Sequence, residues 1–186
     1  MAIEPLSEAH ISKEMRKKLS LQDYSPQERI EGVEIVELNY FTDDGGHFME
    51  LSRFVNERLK DFQDFEIKQM NYSEMEPGVV KAAHVHFKQE DIWFVPPADR
   101  LVVGLMDVRE GSETEGVKMR FVMGGGKAKL LYIPRGVAHG AVNLSDKPAA
   151  ILYYVYNTFD PDPENSDEHR LPWDSYGKDF WEMTKG

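Results

Sequence analysis

Two histidines and a glutamate lie close together in the stretch AAHVHFKQED, residues 82–91. His84 and His86 are two residues apart, so a β-strand would point both imidazoles to the same face. A bend after them would bring Glu90 to the same centre. Imidazoles and a carboxylate together suit a divalent cation such as zinc, iron, manganese, nickel or copper. The stretch therefore predicts a metal site.

A fourth candidate ligand lies in the segment IPRGVAHGAVNLS, residues 133–145. Pro134 and Gly136 predict a turn, and His139 follows it on the next strand. Each candidate alone has a simpler explanation, because a single histidine in a strand is usually hydrogen-bonded and Glu90 could belong to a solvated turn. Three of the six histidines stand at ligand positions, and this coincidence favours metal binding.

The composition indicates one acidic domain. The chain has 186 residues, of which 41% are hydrophobic, enough for one sizeable core. Its net charge is −11 and its basic residues form no cluster, which disfavours nucleic acid and anionic membranes as partners. Cysteine is absent, so thiolate ligands are excluded. A charged N-terminus and the lack of a membrane-spanning apolar run predict a soluble, cytoplasmic protein.

The elements that would position these residues are mostly strands. From Val33 onward, short apolar runs such as GVVKAAHVHF, RLVVGLMDV and AAILYYVYNTF are separated by Gly, Pro, Asn and Asp. This pattern is typical of an antiparallel sandwich or barrel. We therefore expect an all-β domain over residues 33–186.

Two segments have a helical pattern instead. Residues 1–32 are polar and helix-prone, and Ser25, Pro26 and Glu28 stand at capping positions, so we expect a short helical arm there. The stretch FMELSRFVNERLKDF, residues 48–62, has apolar side chains at helical spacing. It predicts one helix inserted into the β domain.

Two groups of residues keep the spacing of the two sequence motifs of the cupin superfamily. The first group is Gly78, His84, His86 and Glu90, and the second is Pro134, Gly136, His139 and Asn143. The resemblance implies a cupin double-stranded β-helix, which is an antiparallel jelly roll. It also implies a divalent metal held by His84, His86, Glu90 and His139.

A longer resemblance covers about residues 33–181. The segments TDDGGHFME, MDVREGSETEG, IPRGVAHG, NLSDKPAAILYYVYNTFDP and LPWD resemble the dTDP-4-dehydrorhamnose 3,5-epimerase family. Members are jelly-roll cupins, commonly homodimers, that invert the carbons flanking the ketone of a nucleotide-linked 4-keto-6-deoxy sugar. The resemblance therefore implies an isomerase that acts on a nucleotide-linked keto sugar.

The same resemblance implies roles for individual residues. His84 falls at the position of the catalytic base, and Tyr153 at that of the proton donor. The substrate contacts fall on Glu50, Gln69, Asn71 and His139. Gly45 and Lys81 stand where the family has arginines, and Lys81 can still offer the substrate a positive charge, but without the bidentate fork of arginine.

The two resemblances compete at His84. An imidazole nitrogen that donates its lone pair to a metal cannot also take a proton. If a metal binds, it would polarise the ketone while Tyr153 handles protons; if not, His84 is the base and His86 and Glu90 support it. His86 and Glu90, which a metal-free epimerase does not need, favour the metal.

Three classes of function fit the sequence. The first is a sugar-nucleotide epimerase or keto-isomerase with a bound divalent metal. The second is a metal-dependent cupin of another chemistry, such as a dioxygenase or a small-acid isomerase, which the missing arginines favour. The third is a non-enzymatic sugar-binding cupin. Resemblance over most of the chain favours the first.

Overall fold

The computed structural model describes residues 5–184, and most of its regular structure is β-strand. The outer ends of the predicted arm (1–32) and of the predicted barrel domain (33–186) lie outside the described residues. The strands are β1 (Glu34–Glu37), β2 (Tyr40–Asp43), β3 (Gly46–Met49), β4 (Phe54–Val55), β5 (Arg58–Leu59), β6 (Gln69–Met75), β7 (Val80–Val85), β8 (Asp91–Phe94), β9 (Arg100–Asp107), β10 (Lys118–Gly124), β11 (Lys129–Ile133), β12 (Val137–Val142), β13 (Ala149–Val155) and β14 (His169–Arg170). The helices are α1 (Lys13–Arg16) and the 3-10 turns Glu8–His10 and Trp173–Tyr176.

Ten of these strands form two antiparallel five-stranded sheets. The first sheet has the order β1-β11-β8-β13-β6, and the second has the order β10-β9-β12-β7-β14. β2 pairs with β3, and β4 pairs with β5, in two small hairpins outside the sheets. Except for the hairpin of β9 and β10, neighbours within a sheet are distant in sequence, as expected where strands alternate between the sheets of a jelly roll. The predicted all-β cupin architecture is confirmed.

The main hydrophobic core fills the space between the two sheets. Trp93 and Leu131 contribute from the first sheet, and Val103 and Leu105 from the second. The outer face of each sheet is also covered. A segment that contains Leu59, Phe62 and Phe65 packs on the first sheet, and Tyr176 and Trp181 pack on the second. Strands buried on both faces explain why the sequence shows apolar runs more often than strict alternation.

The predicted helix over residues 48–62 is wrong. The chain forms the end of β3 there, followed by the hairpin of β4 and β5. Asn56 and Glu57 connect these two strands with φ angles of 50° and 66°, a left-handed pair that makes a tight hairpin turn and interrupts any helix. The buried side chains Leu59 and Phe62, which fit the helical spacing, instead cover the first sheet.

The predicted helical arm is only partly present. One 3-10 turn and the single turn α1 occupy residues 8–16, but no helix forms around Ser25, Pro26 and Glu28. Tertiary contacts hold the end of this segment in an irregular conformation, because the Ile30 side chain is buried in the main core and the Glu31 N–H donates to the Thr114 hydroxyl at 3.0 Å. No helix among residues 5–184 is long and apolar enough to cross a membrane.

Candidate active site

An open cavity lies between the two sheets, and most of the predicted site residues line it. We call it the inner cavity; its volume is about 100 Å³, and it opens to solvent at its mouth. Its polar lining residues are Ser73, Lys81, His84, His86, Gln89, Asp91, Trp93, His139, Tyr153 and Glu168. The cavity therefore combines imidazole, carboxylate, phenol and ammonium groups in one place.

His84 and Tyr153 face this cavity from opposite sheets. His84 is on β7 of the second sheet, whereas Tyr153 is on β13 of the first. Burial raises the pKa of the Tyr153 phenol above its ordinary value, and the nearby charges of Asp91 and Glu168 raise it further. The phenol therefore remains protonated at neutral pH. A base on one side and a neutral proton donor on the other is an arrangement that can invert a carbon placed between them.

A carboxylate orients the ring of His84. The Nδ1 atom of His84 lies 3.4 Å from Oε2 of Glu168. The hydrogen bond from His84 lowers the pKa of the Glu168 carboxyl, which is therefore ionised at neutral pH and can only accept. Nδ1 of His84 must then carry the hydrogen, and its Nε2 keeps the lone pair that a base needs.

A β-bulge in β7 sets the direction of this histidine. His139 of β12 pairs with His84 of β7, and the next recorded pair is Ala141 with Lys81. This step covers two residues in β12 but three in β7, so β7 has one extra residue. Gly140 makes the bulge possible, because a Cβ atom there would lie 2.4 Å from the Cβ atom of Ala82 and 2.7 Å from the Lys81 carbonyl oxygen. Such bulges re-aim side chains and are frequent beside active sites.

His86, Asp91 and His139 form a buried cluster at the inner cavity. One ligand atom from each lies within 4.8 Å of the other two. Nδ1 of His86 donates to the Asp167 carbonyl at 2.8 Å, and Nδ1 of His139 donates to the Val137 carbonyl at 3.0 Å. Both Nε2 atoms therefore point their lone pairs toward the Asp91 carboxylate, at 3.9 and 3.5 Å. Three acceptors facing one another fit a cation or a shared proton.

The charge state of the cluster follows from its burial. Burial lowers the pKa of His86, and the neighbouring His139 lowers it further, so His86 is neutral at pH 7. Burial alone would raise the pKa of Asp91, but its close contact with His139 and the hydrogen bond from the indole of Trp93 outweigh burial and keep the pKa below the ordinary aspartate value. Gln89 also donates its amide to Asp91 at 2.8 Å.

Glu90, predicted from the sequence as a metal ligand, lies outside the cluster. Adjacent residues of a strand point to opposite faces, and since Asp91 points into the inner cavity, Glu90 points away from it. Its carboxylate pairs with Arg135 at 2.8 Å instead. His84 is also outside the cluster, and its Nδ1 faces Glu168 instead.

Gln69 and Asn71 lie in a second space that opens from the inner cavity, which we call the outer groove. The Gln69 amide donates to Asn71 at 2.6 Å and accepts from the Phe159 N–H at 3.1 Å. The groove and the inner cavity share His84, Gln89, Tyr153 and Glu168. Arg170 lines the groove and supplies a positive charge that the sequence analysis did not single out.

Two other predicted substrate contacts have different surroundings. Lys81 lines the inner cavity, where its ammonium donates to the Ser73 hydroxyl at 2.9 Å and to the Glu74 carbonyl at 2.8 Å. Glu50 does not line either space within its own chain. Its carboxylate is half-exposed and pairs with Arg53 at 2.6 Å.

Glu168 and Arg170 were missed for a common reason. Both belong to the stretch DPDPENSDEHR, whose composition predicts a turn-rich loop. The loop ends in β14, a strand of only two residues that pairs with β7 at Val85 and His84. A two-residue strand has no hydrophobic periodicity, so local sequence contained no signal that would place these charges at the site.

The fold and the site together define an acid–base enzyme of the cupin class. A family model described as dTDP-4-dehydrorhamnose 3,5-epimerase matches residues 27–176. The chain therefore belongs to the dTDP-4-dehydrorhamnose 3,5-epimerase family, and the expectation of a cupin-fold sugar epimerase is confirmed.

Individual relatives agree with this assignment. The spore coat polysaccharide biosynthesis protein SpsL of Bacillus subtilis is 41% identical over 145 residues, which cover 78% of this chain and 91% of that protein. The probable low-salt glycan biosynthesis epimerase Agl13 of Haloferax volcanii is 35% identical over 147 residues, 78% of this chain and 89% of that protein. The crystal structure of the 3,5-epimerase RmlC from Legionella pneumophila in complex with dTDP-4-keto-L-rhamnose superposes with a TM-score of 0.62 and 25% identity, covering 73% of this chain and 72% of that one.

Proposed function

We propose that the protein epimerises a carbon next to the ketone of a nucleotide-linked 4-keto-6-deoxy sugar. The observation that carries this proposal is the placement of His84 and Tyr153 on opposite sheets with the inner cavity between them. Nε2 of His84 removes the proton from the carbon adjacent to the ketone, which leaves an enolate. Tyr153 then returns a proton to the other face of the same carbon, and its configuration is inverted.

The surroundings of these two residues support the same chemistry. Glu168 stabilises the imidazolium that His84 becomes after it takes the proton, as the carboxylate of a catalytic triad does. The raised pKa of Tyr153 keeps its proton available at neutral pH. The enolate oxygen would lie near the buried cluster of His86, Asp91 and His139, where a positive centre would stabilise its charge.

The outer groove would hold the nucleotide. Arg170 offers a guanidinium for the diphosphate, and Phe159, with 61% of its surface exposed, offers a face for the base. Gln69 and Asn71 supply amides for hydrogen bonds. Arg170 would thus replace part of the charge that is absent at Gly45. The relative from Legionella, which was crystallised with dTDP-4-keto-L-rhamnose, supports this class of substrate.

Deuterium incorporation tests the proposed reaction. The protein is incubated in D2O with dTDP-4-keto-6-deoxyglucose, and the sugar is analysed by mass spectrometry and NMR. We expect deuterium at a carbon beside the ketone together with a changed configuration. The His84→Asn variant should lose at least 100-fold in rate, because its base is gone. An unchanged sugar after prolonged incubation with the wild-type protein would contradict the proposal.

We further propose that the cluster binds one divalent cation, with His86, Asp91 and His139 as ligands. This ligand set differs from the one predicted by sequence, because Asp91 replaces Glu90 and His84 is not included. The hydrogen bonds from both Nδ1 atoms to backbone carbonyls fix the ring orientation, as they do for histidine ligands of metals. Zinc, iron, manganese, nickel and copper all suit such a set. When bound, the cation would draw electron density from the ketone oxygen.

Adjacent carboxylates provide a matched test of the ligand set. Protein purified without chelators or a polyhistidine tag is subjected to elemental analysis, and zinc binding is measured by calorimetry. Asp91→Asn should lose the metal, whereas Glu90→Gln, a control one residue away whose side chain points elsewhere, should retain it. Metal loss in Glu90→Gln, or no metal and no zinc binding in the wild-type protein, would refute this assignment.

We also propose that the enzyme is a homodimer in the cytoplasm. Within residues 5–184, edge strand β6 has one unpaired side and exposes Met70 and Tyr72, and the β2–β3 hairpin exposes Phe41 and Phe48. A partner would therefore have apolar surface to cover. The proposed substrate is a charged nucleotide sugar that does not cross membranes, which supports the location. Sedimentation at micromolar concentration should give twice the chain mass of 21.4 kDa. A stable monomer would contradict the dimer.

A further inference from the structure

Asp167 is a buried carboxylate that has no place in the mechanism described so far. It lies just before β14 and only 7% of its surface is exposed. Buried carboxylates are rare unless their charge is satisfied, so the groups that satisfy it point to its role.

The side chain of Asp167 accepts hydrogen bonds from three consecutive backbone N–H groups. Oδ1 accepts from Phe87 at 3.0 Å, and Oδ2 accepts from Lys88 at 2.7 Å and from Gln89 at 2.8 Å. These three residues form the turn between His86 and β8. One carboxylate therefore satisfies the whole turn.

Both ends of this turn enter the active site. At its start, the Asp167 carbonyl accepts from Nδ1 of His86 at 2.8 Å and so fixes which ring nitrogen carries the hydrogen. At its end, the Gln89 side chain donates to Asp91 at 2.8 Å and lies 3.4 Å from Nε2 of His86. A displacement of the turn would move Gln89, and with it the contact to Asp91.

Asp167 also fixes the residue that follows it. Glu168, its neighbour, forms the hydrogen bond to His84, and β14 pairs with β7 directly afterwards. The hydrogen bonds between Asp167 and the turn therefore fix the position of the Glu168 backbone. Asp167 thus supports, through its side chain and its backbone carbonyl, the partner of the base and two members of the buried cluster.

We propose that Asp167 is a positioning residue for catalysis, which locks the turn of residues 87–89 against the segment that contains Glu168. It acts through Gln89 and the His86 ring on one side and through Glu168 on the other. It touches no substrate. The kinetic part of this inference rests on the proposed epimerase function, whereas the geometric part does not.

The substitution Asp167→Asn tests the role with little change in volume. Its amide NH2 would face at least one N–H donor, that of Phe87, where the carboxylate offered an acceptor, so the turn and the segment would separate. We expect kcat for proton exchange to fall at least 10-fold while KM changes less than threefold, at a temperature where circular dichroism shows the variant to be folded. Asp162→Asn is the matched control, because exposed Asp162 accepts from a single N–H in the same loop at 3.0 Å. Its kcat should stay within twofold of the wild type.

A readout without substrate separates this inference from the proposed function. Two-bond 1H–15N NMR spectra should show His86 as the Nδ1–H tautomer in the wild type and in Asp162→Asn. In Asp167→Asn the displaced segment would carry the backbone carbonyl of residue 167 away from Nδ1, so in metal-free protein the ring should become a mixture of tautomers. If the wild type has no epimerase activity, this spectrum still decides whether Asp167 positions His86.

A double-mutant cycle tests the route through the turn. If Asp167 acts through Gln89, the loss caused by Asp167→Asn should be smaller in a Gln89→Met background than alone. Should Asp167→Asn fail to fold, Asp167→Glu keeps the charge, moves it by one methylene, and should give an intermediate kcat with the same altered spectrum. A variant with a lower melting temperature, an unchanged kcat and an unchanged His86 spectrum would show that Asp167 is purely structural and would overturn the proposal.

Discussion

The substitution Glu168→Gln measures how much the neighbouring carboxylate contributes to proton abstraction by His84. After proton transfer the imidazolium of His84 would lie 3.4 Å from the Glu168 carboxylate. Two unit charges at that distance attract by roughly 5 kcal/mol at an effective dielectric constant of about 20. The Glu168 side chain is 36% exposed, and water screens the pair to about 1–2 kcal/mol. The expected fall in kcat is therefore about 5- to 30-fold.

The assay for Glu168→Gln is the initial rate of deuterium uptake by the keto sugar, measured over a range of substrate concentrations. The loss should be in kcat, with KM nearly unchanged, because the imidazolium exists only after the proton has moved. Glu164→Gln is the control, since Glu164 is exposed on the same loop and does not line the inner cavity or the outer groove. A Glu168→Gln rate within twofold of the wild type would refute the electrostatic role of Glu168.

Two further predictions concern the shape and the charge of the site. Gly140→Ala should lower the free energy of unfolding by about 1–3 kcal/mol, because its methyl group would clash with Ala82 at the bulge. Gly45→Ala is the control and should change the free energy of unfolding little. Chemical denaturation measures both variants, and equal effects would contradict the steric role of Gly140. Because the pKa of Tyr153 is raised, its phenol should stay protonated until the pH exceeds the ordinary tyrosine pKa of about 10. The difference between ultraviolet titrations of the wild type and of Tyr153→Phe reports this one tyrosine, and it should ionise above about pH 10. Ionisation below that pH would contradict the effect of burial.

The parts of the site that could be predicted from sequence are those with a local pattern. His84 and His86 share a face because side chains alternate along a strand, and the proline-glycine turn before His139 is a local signal. Tyr153 was placed by family resemblance, and the structure brings it to the same cavity. Spacing along one strand is therefore enough to group residues within a sheet.

The predictions that failed concern features that depend on contacts distant in sequence or on a shift of one residue along a strand. Glu90 and Asp91 are adjacent, and adjacent side chains of a strand point to opposite faces. A shift of β8 by one residue would therefore exchange the carboxylate that enters the inner cavity. Asp167 and Glu168 come from a loop that local patterns left without structure. The predicted helix over residues 48–62 failed because a left-handed turn outweighed a helical apolar spacing.

The proposed roles of His84 as the base and of Tyr153 as the proton donor are tested most directly by measuring the configuration of the product together with its deuterium content. The Tyr153→Phe variant is incubated with the 4-keto sugar nucleotide in D2O, and both deuterium content and configuration are read by NMR. If His84 removes the proton on one face and Tyr153 returns one on the other, Tyr153→Phe should still incorporate deuterium but without inversion, and His84→Asn should do neither. Full inversion by Tyr153→Phe, or deuterium uptake by His84→Asn at the wild-type rate, would contradict the account.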